Sequence, residues 1–182
     1  MKRFLSLILG LVMLCAALPG MVGCEFNKKD RNNDLFRDGV LMVRVGGYGY
    51  IDKTGNYVLS PRYGYIDDST RHLGYGPVDD SYVIICGEWG RYGFFNIKTK
   101  EVIDPQFNEV GCFANGLAPV RLNDKWGYID KGGKFVIKPQ FEYASPFFDD
   151  GYAYVKNSEG KYGIINSKGE LVISYQFDDV IW

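Results

Sequence analysis

The chain has 182 residues, with 21 Lys and Arg against 22 Asp and Glu and a formal net charge of −1. So even a balance, with no long basic run, excludes the electrostatic footprint of a nucleic-acid-binding protein. Aromatic residues reach 16%, well above ordinary usage, and a single His leaves little material for acid–base or metal chemistry.

The first element is a processing signal rather than part of a fold. Lys2 and Arg3 make a positive start, and Phe4 to Val22 is mostly apolar with a break at Pro19-Gly20. The run ends in Met21-Val22-Gly23-Cys24. An aliphatic-type residue, then a small residue directly before Cys, resembles the lipobox of bacterial lipoproteins. There a thiolate takes a diacylglyceryl group, and the small residue lets a membrane peptidase reach the bond. Cys15 is no rival, because Leu14 before it is too bulky for the cleavage position. The resemblance implies a signal over 1–23 that is removed, lipid attached at Cys24, and an exported protein held at the cell membrane. Several acyl chains suffice for stable anchoring. A retained transmembrane helix fits less well, since the run is barely long enough and carries Pro and Gly near its end. Residues 24–35 are polar, charged and Asn-rich, and read as a flexible tether. Losing Lys2 and Arg3 leaves the remainder mildly acidic.

From Phe36 onward one pattern is written four times. Its copies begin at Tyr48-Gly49, Tyr92-Gly93, Trp126-Gly127 and Tyr162-Gly163, and the next eighteen positions of each align without a gap. Offset four is Asp52, Asn96, Asp130, Asn166; offset eleven is Leu59, Ile103, Ile137, Ile173; offset fifteen is Tyr63, Phe107, Phe141, Phe177. A preceding strand opens each copy, from Phe36, Val78, Phe113 and Phe148, so the repeats span about 36–77, 78–112, 113–147 and 148–182. The extra residues of the first copy sit around Asp67 to Pro77.

Each copy predicts three antiparallel strands, A, B and C. Asn123-Asp124 is hairpin chemistry between A and B. Between B and C, an Asp or Asn followed three residues later by Gly suits a turn that needs φ > 0. Asp52…Gly55, Asp130…Gly133 and Asn166…Gly169 obey this, whereas Asn96…Thr99 lacks the Gly and is expected to be strained. The recurrent Asp/Asn is therefore a turn-former. Strand C alternates: Phe135, Ile137, Pro139 and Phe141 share one face, and Lys138 and Gln140 the other. Pro inside such a strand demands an edge or a bulge. The Gly after each leading aromatic is expected to mark a close backbone approach by the neighbouring copy.

Aromatic-Gly-[Tyr/Phe/Ile]-[Ile/Phe]-[Asp/Asn], with Gly-Leu-Ala-x-Val upstream and Val-Ile-x-Pro-x-[Phe/Tyr] downstream, resembles the WG (KWG) repeat family. Lys125-Trp126-Gly127 carries the namesake letters and the other copies have Tyr for Trp. The resemblance covers about residues 36–182. It implies an all-β repeat domain common in exported bacterial proteins, and it brings no catalytic residues. One copy cannot bury enough to stand alone, so the copies must pack on one another. The expected architecture is four tandem repeats of about 35 residues, each a three-stranded antiparallel unit, stacked as an open solenoid-like array. A closed four-bladed propeller is the rival, and pairing of the Phe36–Val45 strand with the Leu171–Val180 strand would decide for it.

Reactive groups are few. Ser69, His72 and Asp67 lie in one short loop, which does not hold a triad rigidly, so no catalytic residues and no enzyme are expected. The pairs Asp67-Asp68, Asp79-Asp80, Asp149-Asp150 and Asp178-Asp179 lack the spaced oxygens of a calcium loop, so neither metal nor cofactor is expected. Cys86 and Cys112 can be read as a disulfide or as two thiols, with the thiols preferred. Tyr65, Tyr152 and Tyr154 are candidates for an exposed stacking surface. One polar position recurs once per copy: Arg62, Gln106, Gln140 and Gln176. Stacked copies would set these out as a ladder suited to an extended partner, a protein or a cell-envelope glycan, although solvating the strand or tying down its bulge explains them somewhat better. A membrane-tethered binding or scaffolding module is the expected function, with a purely structural spacer as the alternative.

Overall fold

The structure is a computed structural model that describes residues 35–67 and 81–181. Cys24, Ser69 and His72, with the signal and all of the tether but Leu35, lie outside the described residues. Among the described residues, all regular elements but one short 3-10 turn are strands. The first sheet holds β1 (Val40–Val45), β2 (Gly47–Asp52) and β3 (Tyr57–Tyr63). The second orders β4 (Tyr65–Asp67), β5 (Tyr82–Cys86), β6 (Tyr92–Asn96) and β7 (Val102–Phe107) side by side. The third holds β8 (Glu109–Val110), β9 (Leu117–Leu122), β10 (Lys125–Asp130) and β11 (Phe135–Phe141). The fourth holds β12 (Tyr143–Ala144), β13 (Tyr152–Lys156), β14 (Tyr162–Asn166) and β15 (Leu171–Phe177). All pairings are antiparallel, and β1 does not pair with β15 among the described residues. The array is open, as expected over the closed propeller.

Two details differ from the three-strand reading. Strand A starts later than expected: Phe36 to Gly39 is a tight turn with Asp38 at φ 46° and Gly39 at φ 79°, closed by the Arg37–Val40 bridge. Asn115-Gly116 turns the same way in the third copy. The second difference is larger. Sheets two to four have a fourth strand, and it belongs to the preceding copy. Tyr63 pairs with Tyr48 of its own copy, yet the next amide, Gly64, already donates to Cys86 O of the next copy at 3.0 Å. Asn108 to Arg121 O and Glu142 to Lys156 O repeat this at 2.9 Å each. The first three C strands thus change sheets within one residue and lend their tails to the following copy.

Pro61, Pro105 and Pro139 sit where the C strand both bulges and forms the sheet edge, so their missing N–H leaves no ladder bond unmade. Tyr48 pairs with Tyr63 while Tyr50 pairs with Leu59, so three residues of β3 face Gly49 alone. The glycine after the leading aromatic is explained by this bulge. A Cβ at Gly127 would lie 2.5 Å from Ile137 O and 2.7 Å from Pro139 N, and Gly49 and Gly93 are more tightly closed still. The close approach therefore comes from the same copy's C strand, not from the neighbouring copy.

Burial follows the junctions. Leu59, Tyr63 and Ile66 of the first copy pack with Val83, Ile85 and Phe95 of the second. Ile103 and Phe107 pack with Ala118, Val120 and Ile129 of the third, and Ile137 and Phe141 with Ala153, Val155 and Ile165 of the fourth. Every core is shared by two copies, which is why no copy needs to be stable alone.

The bulge sets the scale of a substitution test. Gly93→Ala drives a methyl into the Ile103 and Pro105 backbone and is expected to destabilise by about 2–3 kcal/mol or more. At Gly163, where Tyr175 replaces the Pro, a Cβ meets Ile173 O at 2.9 Å and movable side-chain atoms of Tyr175 and Leu171 at 3.0 and 3.1 Å. Gly163→Ala is expected to lower stability by only about 1 kcal/mol. Urea denaturation of both variants checks the order; equal losses would remove the bulge from the explanation.

Candidate functional site

The structure carries the recurrent polar row on the C strands. Leu59 and Tyr63 point inward and are buried while Ser60 and Arg62 are exposed, and the same division separates Ile103 and Phe107 from Asp104 and Gln106. Lys138 and Gln140 are exposed opposite buried Ile137 and Phe141. Ser174 and Gln176 are exposed on β15, where the apolar face is exposed as well. One exposed polar pair therefore stands on the edge strand of each sheet. Arg62 is not equivalent to the glutamines in its surroundings: its guanidinium lies over the Tyr63 ring at 5.4 Å and donates to Tyr63 Oη at 3.3 Å. That bond, helped by the charges of Asp104 and Glu88, raises its pKa further. Gln140 Nε2 donates to Lys138 O at 3.3 Å, within its own strand.

The B–C turns use the side-chain oxygen of their Asp or Asn as an acceptor, and Asn166 Nδ2 also donates to Glu170 Oε2 at 2.8 Å. Asp52 Oδ1 accepts from Thr54 N at 2.8 Å, Thr54 Oγ1 at 2.6 Å and Asn56 N at 3.0 Å. Asp130 Oδ1 accepts from Gly132 N and Lys134 N, and Asn166 Oδ1 from Lys168 N and Glu170 N. A carboxamide does this as well as a carboxylate, which is why both residue types occupy the position. The second copy departs from the rule: Asn96 bonds to Lys98 N and Thr99 N, its loop is one residue longer, and the left-handed residue is Lys100 at φ 67°. The strain expected at Thr99 falls on Lys100 instead. Lys100 Nζ donates to Ile97 O and to Asp38 O of the first copy, and burial lowers its pKa.

The aromatics divide. Tyr65 and Tyr152 are 53% and 40% exposed. Tyr154 is half-buried, stacked on Tyr143 at 5.8 Å and edge-on to Tyr162 at 5.9 Å, so it belongs to a packed cluster that also takes in Trp126. Beneath it, Tyr128 is fully buried and donates to Ser145 O at 2.8 Å, and burial holds its pKa well above the ordinary value. Trp89, which the repeat pattern does not single out, is 93% exposed at the tip of the β5–β6 hairpin, with φ 62°. Its only signal is the sequence Glu-Trp-Gly-Arg between two strands.

Cys86 and Cys112 are both thiols, the first half-buried and the second buried with its pKa raised by burial. Asp67 ends β4. Among the described residues no three His, Cys, Asp or Glu side chains cluster as metal ligands would, and no helix is long and apolar enough to cross a membrane. An open depression of about 500 Å³ lies between the second and third copies, lined by Ser81, Asn96, Thr99, Glu101 and Lys131. Three of its polar residues are engaged in the turn: Asn96 Oδ1 accepts from Thr99 N, and Thr99 Oγ1 donates to Glu101 Oε2 at 2.9 Å.

The family model for the WG containing repeat matches residues 48–75, 92–126, 126–162 and 162–181. No curated protein matches the chain. Among solved structures, BamB from Moraxella catarrhalis is similar at 15% identity and a TM-score of 0.39, over 76% of this chain and 47% of that one. Hsv2p from Kluyveromyces lactis is similar at 13% and 0.39, over 75% of this chain and 48% of that one. The extracellular domain of a putative hybrid two-component system from B. thetaiotaomicron is similar at 13% and 0.35, over 78% and 20%. The chain spans about half the length of the first two and a fifth of the third.

The Asp52 turn carries a pH dependence. The Thr54 hydroxyl bond, with backbone bonds from Asn56, Thr54 and Gly55 and against some desolvation, holds this carboxyl below its ordinary value of 3.8. A depressed folded pKa contributes stability that is present above the unfolded value and is lost as pH falls through the folded one. Asp52→Asn keeps the acceptor oxygen, so it is expected to match the parent at pH 7 and to lose less stability than the parent below about pH 4. Carboxyl titration by NMR beside urea midpoints against pH checks this; Asp52 titrating above the ordinary value would refute it.

Proposed function

We propose, on the premise that the chain belongs to the WG-containing repeat family, that it is an exported, lipid-anchored and non-enzymatic binding module. Its partner is a protein or a cell-envelope glycan that runs along the array. The observation that carries the reading is the repeated polar edge: Arg62, Gln106, Gln140 and Gln176 are exposed, one per sheet, while the opposite faces of their strands in the first three copies are used up in holding the copies together. Gln is a poor strand residue where Thr or Val would serve, so strand propensity does not account for its recurrence. Exposed Tyr65, Tyr152 and Trp89 add flat amphipathic rings of the sort that stack on sugars or peptide segments. Attachment at the membrane rests on Met21-Val22-Gly23-Cys24 and on the polar stretch that follows it.

One contact favours the spacer reading, in which the row is structural. Gln140 donates to the carbonyl of Lys138, two residues before it, and so ties down its own bulge.

Replacing Gln106, Gln140 and Gln176 together with Thr separates the two. The binding reading expects retention on peptidoglycan or in envelope pulldowns to fall about tenfold or more with the melting temperature within about 2 °C of the parent. Binding intact with a lower melting temperature makes the row structural. The anchor has its own test. Cys24→Ser is expected to abolish fatty-acid labelling and to move the protein from the membrane to the soluble fraction; unchanged labelling would refute Cys24 as the attachment point.

A further inference from the structure

Three times in this chain the same junction is built, and its two halves recur, unjoined, at the two ends of the array. In each junction the tail of one C strand pairs with the next A strand. Ile66 lies opposite Ile85, Val110 opposite Val120, and Ala144 opposite Val155. One residue earlier in the tail, Glu109 faces Arg121 and forms an ion pair with it. The C strand's inward residues are then covered by the next sheet, leaving Leu59, Ile103 and Ile137 at 4–9% exposure and Tyr63, Phe107 and Phe141 at 1–5%.

On the fourth copy the equivalent residues are uncovered. Ile173 is 36% exposed and Phe177 41%, and Ile181 beyond them is 94% exposed. On the first copy the receiving half is a sheet of three strands, with no C-strand tail beside β1 among the described residues. Val43 is half-buried where Ile85, Val120 and Val155 are fully buried. A Cβ at Gly133 would meet Ile103 Cγ2 of the preceding copy at 3.2 Å, and one at Gly169 would meet Ile137 Cγ1 at 3.1 Å, whereas nothing lies within 4 Å of the same position on Gly55.

We propose that these two halves are one interface, and that a second copy of this chain docks head to tail. The tail Asp178 to Ile181 of one copy adds to the open edge of β1 in the other, and that copy's first sheet covers Ile173 and Phe177. The repeat alignment sets the register: Val180 stands opposite Val43, and Asp179 opposite Arg44. The second pair reproduces, acid to base, the Glu109–Arg121 pair inside the chain. The face of β1 equivalent to the covering residues is Leu41 and Val43, both half-buried, with Arg44 exposed beside it, and Ile173 and Phe177 are exposed on β15. The contact joins different surfaces of the two copies, so repetition gives a ring where the rotation closes and a filament where it does not.

Sedimentation of the full chain in mild detergent, over a range of concentrations, tests this. The expected result is a species of two or more chains. Phe177→Asp and Arg44→Glu should each weaken the association about tenfold or more, with little change in melting temperature because both residues are exposed. Arg44→Glu combined with Asp179→Arg should restore it. One chain mass at every concentration, or association indifferent to Phe177→Asp, overturns the proposal. Should a variant fail to fold, Arg44→Cys in one tagged copy and Asp179→Cys in another, with Cys86 and Cys112 as Ser in both, replace it. A mixed disulfide between the differently tagged copies is the expected result. Both cysteines placed in one chain yielding only an internal bridge would mean closure of the array on itself, and would overturn the proposal.

Discussion

The structure depends on a strand that serves two sheets in succession. For each of the first three copies, the residue at offset fifteen pairs with its own B strand and the amide of the very next residue pairs with the following copy. A regular strand cannot do this, because its period of two and its twist carry it on along the same ladder. The bulge at the Pro provides the departure. It packs three residues against one glycine, bends the strand out of its sheet, and places the missing N–H of Pro where no ladder bond is owed. The glycine that admits the bulge lies twelve residues upstream of the Pro, in strand B. Aromatic-Gly and Pro-x-aromatic are therefore two ends of one contact, and their recurrence together has a steric cause.

Strand sharing also decides how energy is distributed. Hydrogen bonds and apolar burial cross each junction through the same segment, so a copy is not a folding unit and the pair of neighbours is. The ion pairs that bracket the hairpins, Lys125 with Glu142 and Lys161 with Asp178 at 2.5 Å each, are repeat-equivalent but solvent-exposed. Pairs of that kind add little. What holds the array is Ile and Phe beneath the following sheet. On the fourth copy, among the described residues, the equivalent Ile173 and Phe177 lack that cover.

Much of this architecture can be read from residues alone because its signals are local. Alternation along Phe135 to Phe141 places the buried face; Asn123-Asp124 gives a two-residue hairpin with both residues at positive φ; Asp130…Gly133 gives the next turn. The features that escape are those whose cause is distant or brief. The shared strand is two or three residues long, with one apolar residue in Glu109-Val110, too short for any period to register. Gly127 announces a close approach but not whose backbone approaches. The Phe-x-Asp-Gly stretch is apolar at its first residue and so joins the strand it merely introduces. The outward position of Gln106 and Gln140 follows from alternation, whereas the bond from Gln140 to Lys138 depends on the local bend and has no sequence signature.

Binding and self-association make different demands on the array, and the geometry separates them. The polar row occupies the outward face of each C strand, whereas the junction uses the inward face and the tail. An array extended head to tail would therefore continue the row from one copy to the next without covering it. A partner contacting one residue per sheet then gains from each added sheet by effective concentration, not by any stronger single contact. Weak individual contacts, such as a lone glutamine amide, become sufficient only in such a setting. That is the physical sense in which four similar copies would make a specific surface under the proposed reading, with no single copy binding strongly.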